Sequence, residues 1–371
     1  MRKSLSCLGV AVLGMAMAAT PAQAAEGVVL AAGSPTAIPG SYIVKIRGDV
    51  DRMSKSAGGQ VLSGAFSGFA VTLSEKQARR LAADPSVEYV EQNQIVHATA
   101  TQLNPPWGLD RTDQRALPVD HSYSFTTTGR GVNVYVIDTG IRKTHIDFGG
   151  RARDGWDFVD NDAVADDLNG HGTHVAATAV GTTYGIAKQS TVYGVKVLGP
   201  SGSGTTAGVI AGVGWVTRNA VKPAVANMSI GGSASIALDD AVRASIASGV
   251  TYGVAAGGSN SDVANFSPAR VAEALTVGAS TITDARASSS NYGPGVDIYA
   301  PGQNILSAWI TSDTASATLS GTSMSTPHVV GVAARYLQAN PTATPAQVSA
   351  AIVAAGTVVP YGKLLYWDPA L

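Results

Sequence analysis

Val132-Asn133-Val134-Tyr135-Val136-Ile137-Asp138-Thr139-Gly140 is an apolar run that ends abruptly in a carboxylate and a turn pair. A near-continuous apolar strand is buried on both faces, which is the habit of parallel sheets covered by helices on either side. Three further runs repeat the pattern: Val192 to Val197, Ala224 to Met228 and Thr251 to Ala256. Helical stretches begin between them at His171, near Thr205 and near Ile236, and two more, from Ser323 and from Thr344, close the chain. Strands alternating with helical crossovers predict an α/β fold around a central, mostly parallel sheet. Functional groups in such folds gather at the carboxyl ends of strands, where Asp138 stands. By itself Asp138 fits a turn residue or a helix cap equally well.

The chain ahead of this region reads differently. Met1-Arg2-Lys3, the apolar stretch Leu8 to Ala19 and the small-residue site Ala22-Gln23-Ala24 predict a secretory signal peptide over 1–24, cleaved after Ala24. Cys7, the single cysteine, lies inside it, so the exported chain has no disulfide. Residues 25 to 40 are rich in Ala, Gly and Pro and read as a linker. Tyr42, Val44 and Ile46 then alternate as a strand, and Phe66 to Leu73 reads as a second. Ser74-Glu75-Lys76-Gln77 fits a capping box opening a helix to about Ala83, and Val87 to Glu91 returns as a strand. Together they predict a small α+β unit over about 41–97. Thr99 to Asn104 is polar and aperiodic, ends at Pro105-Pro106 and marks a boundary, which divides the exported chain into 25–99 and 100–371.

The 371 residues, 45% of them hydrophobic, are enough for a large core with a smaller unit beside it. A net charge of −1 and a pI near 6.6 provide no electrostatic footprint for nucleic acid or an anionic membrane. No other apolar run reaches spanning length, so the expected product is soluble, extracellular and monomeric. The 42 glycines follow no fixed period, which excludes collagen and repeat architectures and leaves tight turns and close backbone approach.

Two further stretches carry candidate chemistry. Asn169-Gly170-His171-Gly172-Thr173-His174-Val175-Ala176 sets two histidines at i, i+3 among small residues. A metal pair is the rival reading. However, no glutamate stands between them as in the zinc-protease pattern, and no third nitrogen or sulfur ligand is evident. Gly321-Thr322-Ser323-Met324-Ser325-Thr326-Pro327-His328 opens an alanine-rich helical run to Leu337 that is stopped by Asn340-Pro341. A serine in that first turn is either an N-cap or a nucleophile set over unpaired amides and the positive end of the helix dipole. Asp138, His171 and Ser323 together supply an orienting carboxylate, a general base and a nucleophile. Their order in the chain is neither that of α/β-hydrolases nor that of chymotrypsin, but that of subtilisin.

Val136 to Ile141, Gly170 to Ala176 and Gly321 to His328 resemble the three signature blocks of subtilisin-like serine proteases. Trp107-Gly108-Leu109, Tyr184 to Ala187, Gly194 to Leu198 and Ser290 to Gly293 are similar to the proteinase K branch. The likeness runs from about Gln102 to the C-terminus, and Ser41 to His97 is similar to the inhibitor-type propeptide of such enzymes. The resemblance implies a subtilisin-like three-layer fold preceded by a small α+β propeptide domain. It also implies a secreted, self-processing serine endopeptidase that acts through an acyl-enzyme, with Asp138, His171 and Ser323 catalytic and His171 rather than His174 as the base. Ser229, Ile230, Gly231 and Gly232 with Ala255, Ala256 and Gly257 would wall the pocket for the residue before the scissile bond, leaving room for aromatic or large aliphatic side chains. Gly202, Ser203 and Gly204 would pair with substrate backbone as an added strand, a broad mode of recognition. Protein and peptide substrates are the expected partners, and the propeptide is expected to act as chaperone and inhibitor. Its tail, Gln94 to Thr99, would lie substrate-like in the cleft and be cut near Thr99-Ala100.

Structural calcium is implied as well, while the chemistry itself needs no cofactor. Asp110, Asp113 and Asp120 with Gln114 and Ser122 crowd hard oxygen donors into thirteen residues. A helix start with acidic first-turn residues is the alternative. Asp297 with the carbonyls of Ala272 and Ala274 resembles a second site, and Asp157 with Asp162 a third. One position departs from the pattern. Relatives carry an asparagine directly after Ala-Ala-Gly, whose amide completes the oxyanion hole, and here that position is Gly258. A catalytically impaired scaffold that binds or regulates is therefore the alternative function.

Overall fold

The computed structural model describes residues 26–34, 37–62, 64–95 and 100–370. The expected signal peptide and Thr99 of the expected cleavage site lie outside the described residues. The chain forms two compact units that divide between Val96 and His97.

In the first unit the strands Val29–Leu30, Val87–Gln94, Ala37–Ile46, Gly68–Thr72 and Gln60–Leu62 form one sheet in that order. Tyr42, Val44 and Ile46 point into its core with Phe69, Val71, Val87 and Val90, as their alternation predicts. The capping box is present: Ser74 N donates to Gln77 Oε1 at 2.8 Å and Ser74 Oγ accepts from Gln77 N at 3.4 Å, opening the helix Glu75–Ala82. The linker reading of residues 25 to 40 is corrected in two places. Val29–Leu30 pairs in parallel with Val90 and Glu91, and the second strand already begins at Ala37. A two-residue strand has no period to read, and Pro39-Gly40 hides the strand that contains them. The sequence reading missed a helix over Val50–Ala57, capped by Asp49, whose short apolar stripe of Val50, Met53 and Ala57 packs on the core.

The second unit is built on a nine-stranded sheet. Its order is Thr357–Val359, Gly362–Leu364, Ile298–Pro301, Leu275–Ser280, Thr251–Ala255, Ala224–Met228, Asn133–Asp138, Thr191–Lys196 and Ala152–Asp157. All neighbours run parallel except the terminal hairpin of Thr357–Val359 with Gly362–Leu364. Each face has its own core. Val134 and Val136 pack toward the helices His171–Val180, Thr322–Ala339 and Pro345–Ala355. Tyr135 and Ile137 pack toward Thr206–Asn219 and Ile236–Ala247. The continuous apolarity of the strands is thus the direct cause of the three-layer arrangement. Thr99 to Asn104 is more than a boundary, since Ala100–Leu103 pairs antiparallel with Ser122–Phe125. Among the described residues no helix is long and apolar enough to cross a membrane.

Candidate active site

Asp138 is the last residue of its strand, with neighbours Thr191–Lys196 on one side and Ala224–Met228 on the other. The chain leaves this strand for one side of the sheet and later returns to the other, so Asp138 stands at the topological switch point. Its side chain is fully buried. Asp138 Oδ1 accepts from His171 Nδ1 at 2.7 Å and from its neighbour Thr139 N at 2.8 Å. The imidazole is about a quarter exposed and opens on the cleft. His171 is the first residue of its helix, and the backbone there can approach the Asp138 strand only because Gly172 has no side chain. A Cβ at Gly172 would lie 2.2 Å from Gly140 O.

Burial pushes the His171 imidazole toward its neutral form. The Asp138 charge, the hydrogen bond to it and the charge of Asp167 outweigh that effect, so the group titrates above its ordinary value. His174, one turn on, faces elsewhere: Nε2 meets Ile305 O at 3.0 Å, and burial pushes its pKa down to about 4. The two rings that could have formed a metal pair are therefore committed to separate partners.

Ser323 is the second residue of the helix Thr322–Ala339. The N-cap is Gly321, at a φ of 146° that suits glycine, so the N-cap reading of Ser323 is corrected. The other hydroxyls of this turn are engaged elsewhere: Thr322 Oγ1 accepts from Gly257 N at 3.1 Å, Ser325 Oγ donates to Ala300 O at 2.9 Å and Thr326 Oγ1 to Thr322 O of its own helix at 2.8 Å. Ser323 Oγ opens on the same cleft as His171 and donates to Ser229 O at 2.9 Å. No hydrogen bond joins it to His171 here; catalytic hydrogen bonds are often completed only when substrate is bound.

Two hollows flank Ser229 to Ser233. The larger, about 970 Å³, is lined by Gly202, Ser203 and Gly204 on one side and by Ser229, Ile230, Gly231 and Gly232 on the other. The smaller, about 350 Å³, is lined by Ser229 to Gly232, Ala255, Ala256, Gly257, Gly258 and the turn Gly321 to Ser323. All the expected substrate-binding residues thus border Ser323's surroundings, divided between two hollows. The sequence reading missed Leu198, Val209 and Leu238, apolar residues lining the larger hollow, and Phe266 in the smaller. Leu198 enters the sequence reading only as part of a family-like stretch, and Val209, Leu238 and Phe266 carry no pattern that marks them as lining a cleft.

The acidic positions separate into three situations. Asp110 Oδ2 accepts from His121 N at 3.0 Å and Asp113 Oδ2 from Ser124 N at 2.7 Å, while Oδ1 of each is buried without a partner. Burial raises both groups, Asp113 to about 6, and the charges of Asp120 and of each other add to the shift at Asp113. Asp110 is the acidic first-turn residue of a four-residue helix, Trp107–Asp110, so the helix-start alternative describes Asp110 but not Asp113 or Asp120, which lie beyond that helix. Asp120 Oδ1 accepts from Ser122 Oγ at 2.7 Å, and Gln114 Oε1 accepts from Asp120 N at 3.1 Å. Asp297, raised by burial to about 6, accepts from Thr276 N at 2.7 Å close to Ala274 in the chain, with Ala272 two residues earlier. Asp157 and Asp162 close turns: Asp157 Oδ1 accepts from Val159 N at 2.6 Å and Asp162 Oδ1 from Val164 N at 2.8 Å. No three acidic, histidine or cysteine side chains converge on one ion position among the described residues.

Residues 129–363 match the subtilase family model, and residues 42–99 match the peptidase inhibitor I9 model. The chain is 48% identical over 377 residues to the extracellular serine proteinase of Thermus sp. (strain Rt41A), covering 93% of this chain and 92% of that protein. It is 55% identical to alkaline serine exoprotease A of Vibrio alginolyticus, over 82% of this chain and 58% of the Vibrio protein. Among solved structures, a cold adapted subtilisin-like serine proteinase superposes with a TM-score of 0.70 at 53% identity, covering 72% of this chain and 99% of that one. With the family model spanning well over half of its length, the chain belongs to the subtilase family of serine endopeptidases and carries an inhibitor I9 domain ahead of the protease domain.

Proposed function

We propose that the chain is a secreted zymogen whose mature form cleaves peptide bonds with Ser323 as nucleophile, His171 as general base and Asp138 as the carboxylate that holds the imidazole. The observation that carries this reading is the 2.7 Å bond between the buried Asp138 Oδ1 and His171 Nδ1, which leaves Nε2 for the cleft that Ser323 lines. His171 takes the Ser323 proton as Oγ attacks the carbonyl, then gives it to the leaving amine. Water repeats the sequence to release the acyl group. Asp138 favours the tautomer with its proton on Nδ1 and stabilises the imidazolium.

None of the described residues lining the smaller hollow is charged, which favours hydrophobic or aromatic side chains before the scissile bond. The Gly202 to Gly204 edge offers main-chain groups to substrate backbone and so supports broad specificity. Bound calcium is proposed at Asp110 and Asp113, because their two buried carboxylate oxygens without donors fit a hard cation. The other ligands there would be main-chain oxygens and water. The I9 domain is proposed to inhibit until it is cut from the protease near Thr99-Ala100. The names of relatives, an extracellular serine proteinase among them, support export.

Labelling by a serine-directed phosphonate, with Ser323→Ala as control, tests the core of the proposal. Stoichiometric labelling of the wild type and none of the variant is expected. An unlabelled wild type leaves the impaired-scaffold alternative that Gly258 suggests.

A further inference from the structure

We infer that Asp167 is a positioning residue for the acid–base pair, joining Thr139 and the first turn of the His171 helix in one hydrogen-bonded frame and placing negative charge where the imidazolium forms. The inference rests on His171 acting as the base.

The helix His171–Val180 begins in an unusual way. Its N-cap, Gly170, has a φ of 112° and no side chain to cap with. The first three helical amides nevertheless all have side-chain partners, supplied from outside the helix. His171 N donates to Asn169 Oδ1 at 3.2 Å, Gly172 N to Thr139 Oγ1 at 2.9 Å and Thr173 N to Asp167 Oδ2 at 2.9 Å. The bond to Thr173 is the one an N-cap side chain ordinarily makes. Asp167 makes it from three residues upstream of Gly170.

Asp167 is 7% exposed and does not line the cleft. Its Oδ2 also accepts from Thr173 Oγ1 at 2.6 Å, and its Oδ1 accepts from Thr139 Oγ1 at 2.8 Å, Asn169 N at 2.9 Å and Gly170 N at 2.9 Å. Thr139 in turn donates its N–H to Asp138 Oδ1, the atom that receives His171 Nδ1. A closed circuit results: Asp138 to Thr139, Thr139 to Asp167, Asp167 to the helix, and the helix through His171 back to Asp138. Each link is short, and Asp167 is its junction. Displacing Asp167 moves the base relative to its carboxylate without touching substrate.

The charge matters separately from the geometry. His171 sits at the positive end of its helix, where a cation is disfavoured, yet catalysis requires the imidazole to become one. The titratable groups acting on or beside it are Asp138, Asp167 and His174 on the next turn. Asp167 contributes a negative charge at the helix end itself, offsetting the dipole and favouring the protonated ring.

Asp167→Asn retains the shape and the Oδ1 acceptor, removes the charge and replaces the acceptor for Thr173 with a donor. On the active enzyme kcat is expected to fall, by up to about 100-fold, the scale of a misplacement of about 1 Å of a reacting group. KM should stay within about twofold, since substrate contacts are untouched. The acid limb of kcat/KM should also move to lower pH, because the lost charge had favoured the imidazolium. If the variant loses only thermal stability, with kcat and the acid limb unchanged, Asp167 is merely a helix cap and the inference is overturned. Should Asp167→Asn not fold, Thr139→Val decides, because it keeps the carboxylate and the Thr139 N–H bond to Asp138 but removes the hydroxyl that ties Asp167 and Gly172 N to that strand. A lower kcat with the acid limb in place is expected, and an unchanged kcat overturns the frame. Phosphonate labelling of the wild type separates the two readings. An unlabelled wild type removes the base assignment and this inference with it, whereas a labelled wild type beside an unaffected Asp167→Asn refutes only the role of Asp167.

Discussion

Gly258→Asn introduces a side-chain amide at the position where the resemblance to subtilisin-like proteases implies an oxyanion-hole asparagine. The structure accepts it: nothing lies within 4 Å of a Cβ built at Gly258, and the position is not among the positive-φ glycines. Neither neighbouring asparagine lines the hollow beside Gly258. Asn260 Oδ1 accepts from Arg286 Nη2 at 3.0 Å. Asn291 Nδ2 donates to Ala256 O at 2.8 Å while its Oδ1 receives Ser259 N and Ser261 N. The developing oxyanion is thus left with backbone donors and the positive end of the Thr322–Ala339 helix. Removing one preorganised donor of this kind from a subtilisin costs about 100- to 1000-fold in kcat, roughly 2.7–4 kcal/mol. Restoring it on a backbone not selected to hold it should recover part of that, at least about tenfold in kcat, or about 1.4 kcal/mol. KM should change little, because the donor acts on the transition state more than on the bound ground state. Steady-state kinetics of the two mature enzymes on one peptide substrate is the assay. A kcat that stays level or drops would falsify the reasoning, since the existing site would then already stabilise the oxyanion.

Three further expectations follow from the site. Excess chelator should lower the unfolding temperature and speed autolysis without abolishing low-temperature activity, since calcium binds the folded state and the triad needs none. Unchanged unfolding argues against the ion at Asp110 and Asp113, and an immediate loss of activity reversed only by zinc would restore the histidine-pair reading. N-terminal sequencing of the active species should begin near Ala100, and an active enzyme that starts at Met1 or Ala25 refutes self-processing. His171 must be neutral to act as base and its pKa is raised above 6.5 by Asp138 against the effect of burial, so the acid limb of kcat/KM should have its midpoint above that value. A midpoint below it would mean that burial outweighs the carboxylate.

The parts of this fold legible in the sequence are those whose burial is complete. Asn133–Asp138 and Ala224–Met228 are covered on both faces, so nearly every residue is apolar and the strand shows without alignment. Ala152–Asp157 pairs in the same sheet but at its edge, and Ala-Arg-Asp-Gly-Trp-Asp does not read as a strand because half of it meets solvent. The site divides in the same way. Asp138, His171 and Ser323 are visible because glycines stand beside them, Gly140 and Gly172 where backbone approaches closely and Gly321 where the chain takes a positive φ. Asp167 is surrounded by nothing distinctive. Its partners Thr139 and Thr173 become neighbours only after the strand and the helix have packed, and the Thr139 bond spans 28 residues of chain. Gly258 is a third kind of case. Its oddity shows only against the asparagine that the family resemblance implies, and its consequence depends on where Asn260 and Asn291 point, which is decided by Arg286 and by Ala256 O. A residue defined by what it touches leaves a trace in its immediate neighbours, whereas a residue defined by what it holds apart or together is found only once the elements around it are in place.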